Sequence, residues 1–341
     1  MRSAVVAGQQ IMHFFAYFNT SEAVVDGSWP IYAAITLVEA VGIFLSYFYL
    51  FFIIYLMHKT AALHFNLRLI WTMMGCEYFT QLASRSFEIY FMFKGGPVSE
   101  GFLLASYVRC TTYFIVSLLL PSLVAERACA SYFLEDYEKK KRLWISAIIV
   151  TLNIFSSIIM SYFFHQVSST LGLHIAMLLV NILASVGLHL LERFNKRKHR
   201  RYEGKMGLPK YILSEKYQIA ENLKTFEILK TMVNAVTLLN LVSTVLLALD
   251  NYEFSIATAN MIVTIFNITI LIYGTTGITV MFVCNRPWLL LAKKILSRMK
   301  KTSSVTDELS QTVDFQSETR VYFDQLASDW DRQFQETRRL K

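Results

Sequence analysis

Seven long apolar runs constrain this chain more than any other feature, because an apolar stretch of about 18 residues or more is typical of a helix that crosses a membrane. At about 1.5 Å of rise per residue, each run is long enough for a hydrocarbon layer of about 30 Å. The run at 67–93 is the weakest, since Glu77, Arg85 and Glu88 interrupt it. The predicted spans cover residues 31–57, 67–93, 102–124, 144–164, 171–191, 226–249 and 255–283.

The distribution of Lys and Arg predicts the orientation of these spans. The segments expected outside hold only Arg2 and Lys94, whereas the loops after spans 1, 3 and 5 and the C-terminal tail hold nearly all the others. Because basic loops stay on the cytoplasmic side, the N-terminus is predicted outside and the C-terminus inside. Omitting span 67–93 would put the first basic loop on the wrong side. Asn19, in the sequon Asn19-Thr20-Ser21, is a candidate glycosylation site on the predicted outer side.

The predicted fold class is therefore an all-α membrane protein, a seven-transmembrane helix bundle over residues 31–283. Residues 1–30 are predicted to be an extracellular segment without a cleaved signal peptide. Residues 284–301 are predicted to form a short amphipathic helix on the inner membrane surface, since Trp288, Leu291, Ile295 and Met299 can share one apolar face. Residues 302–341 are predicted to be a polar cytoplasmic tail.

Composition and motif content exclude several other classes of protein. With 54% hydrophobic and 17% charged residues, the chain is unlike an ordinary pair of soluble domains. The net charge of +8 comes from basic residues that flank apolar spans, so it indicates the anionic lipid of a bilayer and not a nucleic acid. The 4 cysteines are too scattered for a disulfide framework, and the 7 histidines form no metal-binding motif. No catalytic motif is present, so we expect neither an enzyme nor a bound metal or cofactor.

Ionisable side chains within the spans are candidates for function, since burying one costs roughly 2.5 to 3.5 kcal/mol at the centre of a helix. Four lie in the outer third of spans 1 to 3, and a histidine belongs to a polar face of span 5. Such faces should turn toward the bundle interior. They either line a water-accessible cavity that orients a small ligand, or pair with one another and tie the helices together, and both can hold at once. The candidate ligand-pocket residues are Glu39, Arg85, Glu88, Arg109 and His174.

A second candidate site lies at the inner end of span 3, where Glu126 and Arg127 meet the predicted cytoplasmic face. Arg127 can pair with its neighbour or swing toward Glu227 near the inner end of span 6. Two arrangements close in energy would form a bistable element that a ligand and an inner partner both bias. The alternative is an anchor at the membrane edge, because Glu-Arg pairs are frequent at helix ends.

The stretch PSLVAERACASYFLEDYEKKKR, residues 121–142, resembles the corresponding segment of the nematode serpentine chemoreceptors of class epsilon. In that family a Glu-Arg pair ends the third span and is followed by an Asp-Tyr-Glu sequence before a basic loop. The first inner loop, residues 58–67, and the seven-span layout over roughly residues 30 to 300 are also similar. The residues that match the motif are Glu126, Arg127, Asp136, Tyr137 and Glu138.

This resemblance implies a G-protein-coupled receptor in the plasma membrane of chemosensory neurons or their cilia. Such a receptor binds an environmental or pheromone-like small molecule and signals through a heterotrimeric G protein. The motif residues and Glu227 would then take part in coupling to the G protein. Ala128 stands where rhodopsin-like receptors have the tyrosine of Asp-Arg-Tyr, and spans 5 to 7 contain no proline, which implies a different hinge. The alternatives are a seven-span odorant-gated ion channel, which would have its N-terminus inside, and a transporter, which the lack of internal repeats disfavours.

Overall fold

The computed structural model describes residues 4–7, 10–59, 65–94, 100–133, 142–167, 169–203 and 210–302. Helices account for most of these residues, preceded by a short antiparallel hairpin, and a 3₁₀ turn at Leu249–Asn251 follows the eighth helix. The elements are β1 (Ala4–Ala7), β2 (Gln10–His13), α1 (Thr20–Val25), α2 (Trp29–Lys59), α3 (Phe65–Lys94), α4 (Glu100–Ser117), α5 (Leu119–Tyr132), α6 (Leu143–Gln166), α7 (Leu171–Glu203), α8 (Lys210–Ala248), α9 (Ile256–Cys284) and α10 (Arg286–Thr302).

Six helical segments among the described residues are long and apolar enough to cross a membrane. Each coincides with one of the predicted spans, and many of their large apolar side chains face outward, where a bilayer solvates them. The segments are Trp29–Lys59, Glu100–Tyr132, Leu143–Gln166, Leu171–Arg200, Thr225–Ala248 and Ile256–Cys284. Helix α3 coincides with the remaining predicted span, 67–93, and its 30 residues have the necessary length, but its charged residues keep it out of this apolar group.

Helix α3 packs against α2, α4, α5 and α6. Near the middle of α3, the Tyr78 hydroxyl donates a hydrogen bond to the Leu271 carbonyl of α9 over 3.1 Å. A Cβ atom at Gly274 would lie 2.0 Å from the Tyr78 ring, so only glycine permits this close approach between α3 and α9. Tyr78 of α3 therefore has its hydrogen-bond partner and its closest packing on α9.

The third apolar segment is interrupted once, between α4 and α5. Pro121 has no backbone N–H, so the carbonyl four residues earlier, at Ser117, loses its helical donor. The helix is interrupted at Leu118 and resumes at Leu119, within one long segment, Glu100–Tyr132.

The N-terminal segment adds structure that the all-α prediction did not include. Strands β1 and β2 pair antiparallel, with Ala4 opposite His13 and Ala7 opposite Gln10. Two strands of four residues are too short to produce a recognisable alternation in the sequence. After the strands, the chain turns toward the bundle and enters α1, whose N-cap is Asn19.

The C-terminal end of α7 and the N-terminal end of α8 extend beyond the apolar spans, to Glu203 and from Lys210 respectively. Residues up to Ala292 form one compact unit, and Lys293–Lys341 form a second, of which the structure describes the end of α10. A helix is thus present where an amphipathic one was predicted. Pro287 lies in its first turn, where the missing N–H costs no hydrogen bond.

Candidate functional site

Four charged residues predicted for the outer third of the spans meet in one buried cluster. The Arg85 guanidinium of α3 binds both carboxylate oxygens of Glu39 on α2, at 2.7 and 2.8 Å. It also donates to Glu88, one turn further along α3, at 3.2 Å. Arg109 of α4 donates to the same Glu88 oxygen and, through its other terminal nitrogen, to Asn267 of α9. We call this group the outer cluster; its members are Glu39, Arg85, Glu88, Arg109 and Asn267. The outer cluster ties four helices together, and its two carboxylates balance its two guanidinium groups.

Two polar atoms of this outer cluster have no hydrogen-bond partner among the described residues, namely Glu88 Oε1 and Arg109 Nε. Leaving a buried polar group unsatisfied costs about 1–3 kcal/mol, and more when the group is charged. Ion pairing, the second of the two interpretations drawn from the sequence, describes the geometry well. The unsatisfied atoms show that pairing alone does not use all the polar groups of the cluster.

Phe15, from the N-terminal segment, fills the space beside the outer cluster. Its side chain is only 1% exposed. The ring packs against those of Tyr113, Phe164 and Phe266 at centroid distances of 5.6, 5.4 and 5.5 Å. The Arg109 guanidinium carbon lies 5.6 Å from the Phe15 centroid, a cation–π arrangement. We call this enclosure the Phe15 pocket, lined by Ser106, Arg109, Tyr113, Phe164, His165 and Phe266.

A chain of hydrogen bonds holds the backbone of Phe15 in this pocket. The Phe15 N–H donates to Ser106 Oγ over 2.8 Å, and Ser106 Oγ lies 3.2 Å from His165 Nε2. His165 Nδ1 lies 2.7 Å from the Ser161 carbonyl, which can only accept, so Nδ1 carries the proton. In the neutral imidazole Nε2 is then an acceptor, and the Ser106 hydroxyl donates to it.

The N-terminal segment is fixed on the C-terminal side of Phe15. The next residue, Ala16, has φ of +50°, a left-handed conformation that costs a residue with a Cβ about 1–2 kcal/mol. Further along, Asn19 N–H donates to Asn260 Oδ1 over 2.8 Å, and Asn260 Nδ2 donates back to the Asn19 carbonyl over 3.0 Å. Asn19 Oδ1 accepts from Glu22 N–H as the cap of α1. These contacts hold the strained turn in place.

His174, the fifth predicted pocket residue, is buried but is not among the partners of the ion pairs described above. Its ring meets the ring of Phe164 edge-on at 6.2 Å, and Phe164 in turn contacts Phe15. His174 therefore lies behind the wall of the Phe15 pocket. No group of three or more His, Cys, Asp or Glu residues in the described part of the chain is arranged to hold a metal ion.

At the end of the third apolar segment that is predicted to face the cytoplasm, Glu126 and Arg127 form a buried ion pair on α5. Arg127 Nε and Nη2 donate to the two carboxylate oxygens of Glu126 at 2.5 and 2.6 Å. Arg127 Nη1 also donates to Asn222 Oδ1 of α8 over 3.3 Å. Ser131, one turn along α5, accepts a hydrogen bond from Asn195 of α7 over 2.9 Å. The inner end of α5 is thus joined to both α7 and α8.

Sequence reasoning missed Asn222, because a single amide in a polar connection carries no distinguishing signal. It selected Glu227 on the same helix, five residues further on, and the structure places that side chain at the exposed surface. Asp136, Tyr137 and Glu138, the other predicted coupling residues, lie outside the described residues.

A separate apolar cavity lies between α2, α3 and α9. It encloses about 680 Å³ of unfilled space including its mouth. Side chains of Leu50, Trp71, Tyr78, Met281 and Trp288 are among those that line it. It contains none of the charged candidates, whereas a separate space of about 240 Å³ is lined by Glu39, Arg85, Arg109 and Asn267.

Comparison with known proteins identifies the class of protein that carries these sites. The family model described as "Sre G protein-coupled chemoreceptor" matches residues 97–331, more than half of the 341 residues. The chain belongs to the Sre family. The match includes α4 to α10, and with them Arg109, Glu126, Arg127 and Asn267 of the two sites.

Individual relatives of the Sre chain agree with the family match. Serpentine receptor class epsilon-8 of Caenorhabditis elegans is 25% identical over 330 residues, which cover 92% of this chain and 96% of that protein. Serpentine receptor class epsilon-13 of the same organism is 23% identical over 270 residues, 76% of this chain and 74% of the relative. The resemblance drawn from residues 121–142 is therefore confirmed. The chain is an integral membrane protein of a chemoreceptor family. Membership of this family favours neither the channel nor the transporter alternative, and the family is not a class of enzymes.

Proposed function

We propose that this Sre chain is a seven-helix receptor of the plasma membrane that binds a small environmental or pheromone-like molecule outside and activates a heterotrimeric G protein inside. In this proposal α3 also crosses the membrane, as the second span along the chain, and brings the number of spans to seven. Its 30 residues extend for about 45 Å, and Arg85 and Glu88 on it are buried among other helices and not exposed to lipid. Charges that face a bundle interior are compatible with a spanning helix.

The proposed orientation follows the positive-inside distribution of Lys and Arg, with the N-terminus outside and the C-terminus inside. Residues 1–30 then lie outside with Asn19 available for glycosylation, α10 lies along the inner membrane surface, and residues 302–341 form a cytoplasmic tail. In this arrangement the outer cluster and the Phe15 pocket lie in the half of the bundle nearer the external medium. The Glu126-Arg127 pair lies in the half nearer the cytoplasm. A chemosensory neuron or its cilium is the proposed location.

The buried link from Arg127 to Asn222 carries the proposed mechanism. Arg127 donates to both carboxylate oxygens of Glu126 on its own helix, and makes a longer hydrogen bond to Asn222 of α8, at 3.3 Å. Separation of α5 from α8 would break the longer bond while the ion pair with Glu126 remains. Loss of such a hydrogen bond of a charged group costs about 1.5–3 kcal/mol, an amount that differential binding of a ligand and a G protein can supply.

Replacing Arg127 tests this function directly. In cells that express the chain with a promiscuous G protein, chemical extracts are screened for a response. We expect Arg127→Ala to abolish the response to the extracts at unchanged surface expression, because the chain then lacks the α5–α8 hydrogen bond whose making and breaking the ligand would control. Arg142→Ala is the matched control, since Arg142 is near the same face and stacks on Phe133, with its guanidinium carbon 4.0 Å from the ring centroid. Full signalling by Arg127→Ala would exclude the proposed role of this arginine.

A further inference from the structure

The Phe15 pocket has the features of a ligand site whose present occupant is the protein itself. Phe15 belongs to the N-terminal segment, yet its ring is enclosed by residues of α4, α6 and α9. The pocket also satisfies the Phe15 backbone N–H through Ser106. A side chain from a terminal segment that reaches this depth occupies a volume that a free molecule can also fill.

The contacts of Phe15 specify the chemistry that the pocket recognises. Three aromatic rings and the Arg109 guanidinium surround one flat ring, and a guanidinium on an aromatic face favours an aromatic group over an aliphatic one of equal size. Ser106 accepts one hydrogen bond while its own proton goes to His165, so it requires a donor. In Phe15 that donor nitrogen is separated from the ring by two carbon atoms, Cα and Cβ.

Charge balance adds a further restriction. Glu39 and Glu88 are matched by Arg85 and Arg109, and all four side chains are buried. A ligand with a net charge would leave one charge uncompensated in this environment, which is unfavourable in a medium of low dielectric constant. A neutral ligand enters without disturbing the ion pairs.

We propose that the Phe15 pocket binds neutral arylethyl compounds, in which an O–H or N–H donor lies two carbons from an aromatic ring, and that Phe15 competes with them for the site. This inference rests on the proposed receptor function. The tethered segment acts as a competitor at high effective concentration. The apparent affinity for the free compound is therefore the intrinsic affinity multiplied by the fraction of molecules whose pocket is open. Ligand binding displaces Phe15 and frees the segment as far as its anchor at Asn19 and Asn260.

Removing the competing ring tests the proposal. Binding of 2-phenylethanol to purified full-length chain in nanodiscs is measured by saturation-transfer NMR, with empty nanodiscs subtracted. We expect Phe15→Ala to bind about tenfold more tightly than the unaltered chain, because the pocket is always open. The same variant should prefer 2-phenylethanol over 2-cyclohexylethanol by about fivefold, since the saturated ring has no cation–π interaction with Arg109.

Phe14→Ala is the matched control. Phe14 is equally buried, at 1% exposure, and its ring packs on Tyr17 and Phe102 instead of the Arg109 guanidinium. The proposal would be overturned if Phe14→Ala gained as much affinity as Phe15→Ala, or if Phe15→Ala bound the two alcohols equally. Either result would show only that a truncated side chain leaves a cavity. Phe15→Leu, which keeps most of the packing, guards against misfolding and should bind with intermediate affinity.

The binding assay contains no G protein, so its outcome is independent of the proposed signalling. A chain that binds 2-phenylethanol as described but never activates a G protein would support the pocket and contradict the receptor function. A chain that signals to an extract while Phe15→Ala gains no affinity would support the function and overturn the assignment of the pocket.

Discussion

Arg85 binds both carboxylates of the outer cluster, Glu39 in a two-point contact and Glu88 through a single hydrogen bond. Its side chain and those of its partners are almost completely inaccessible to solvent. Buried ion pairs add little stability compared with apolar packing, but removal of one partner leaves an uncompensated charge and is costly. The cluster therefore makes the relative positions of α2, α3, α4 and α9 depend on five side chains, the four charged ones and Asn267.

Substitution of Arg85 should be far more damaging than substitution of an exposed partner. We expect Arg85→Gln to lower the free energy of unfolding by about 3–5 kcal/mol, because Glu39 and Glu88 lose their shared cation. The measurement is thermal unfolding of the purified protein. Lys196→Gln is the control, since Lys196 is 52% exposed in its pair with Glu192 and should contribute less than about 1 kcal/mol. Equal shifts in the two variants would contradict the structural role of Arg85.

The sequence indicates some of these residues and is silent on others for physical reasons. A charge in an apolar span is conspicuous, so Glu39, Arg85, Glu88 and Arg109 are found by inspection, and their pairing is one of two outcomes that spacing allows. Phe15 gives no comparable signal, because a phenylalanine outside a span is equally compatible with an exposed segment. Its role depends on a left-handed turn at Ala16, a conformation that alanine rarely adopts.

At the scale of elements, the inner ends of α5, α7 and α8 form a connected group. Arg127 joins α5 to α8 through Asn222, and Asn195 joins α7 to Ser131 of α5. The sequence indicated that Arg127 could reach α8 but not which residue it contacts there, because the pairing of two helices depends on their rotation, and this places Glu227 outward.

The Arg127–Asn222 hydrogen bond should restrain the inactive arrangement. We expect Asn222→Ala to raise basal G-protein activity severalfold, since the loss of about 1.5 kcal/mol favours separation of α5 and α8. Glu227→Ala, on the exposed side of the same helix, should leave basal activity unchanged. Ligand-free nucleotide exchange at matched surface expression measures both variants. If Glu227→Ala raised the basal rate and Asn222→Ala did not, the alternative partner drawn from the sequence would be the correct one.

At the scale of the whole molecule, the seven-span arrangement depends on α3. The helix has the length to cross a bilayer but not the apolar composition of the other spans. Its charged residues Arg85 and Glu88 pair inside the bundle, which makes a crossing possible. Hydropathy and length identify the other six segments directly. The N-terminal hairpin and Phe15 pocket depend on contacts between residues far apart in the chain, which no local pattern encodes.

A crossing by α3 places its two ends on opposite sides of the membrane. We expect Lys94→Cys to react with a membrane-impermeant maleimide on intact cells, and Lys59→Cys, just before α3, to react only after permeabilisation. The background carries Cys76→Ser, because Cys76 is the exposed native cysteine among the described residues. Labelling of both positions from the same side would contradict the seven-span arrangement.

Nucleotide exchange on a purified heterotrimeric G protein, with the full chain in proteoliposomes, tests the receptor function most directly. The stimulus is the extract fraction that is active in cells, and ionic current is recorded from the same preparation. We expect the fraction to accelerate exchange on the unaltered chain, to leave Arg127→Ala at its basal rate, and to evoke no current in either. A current evoked by the fraction without any acceleration of exchange would contradict a G-protein-coupled receptor and favour a ligand-gated channel.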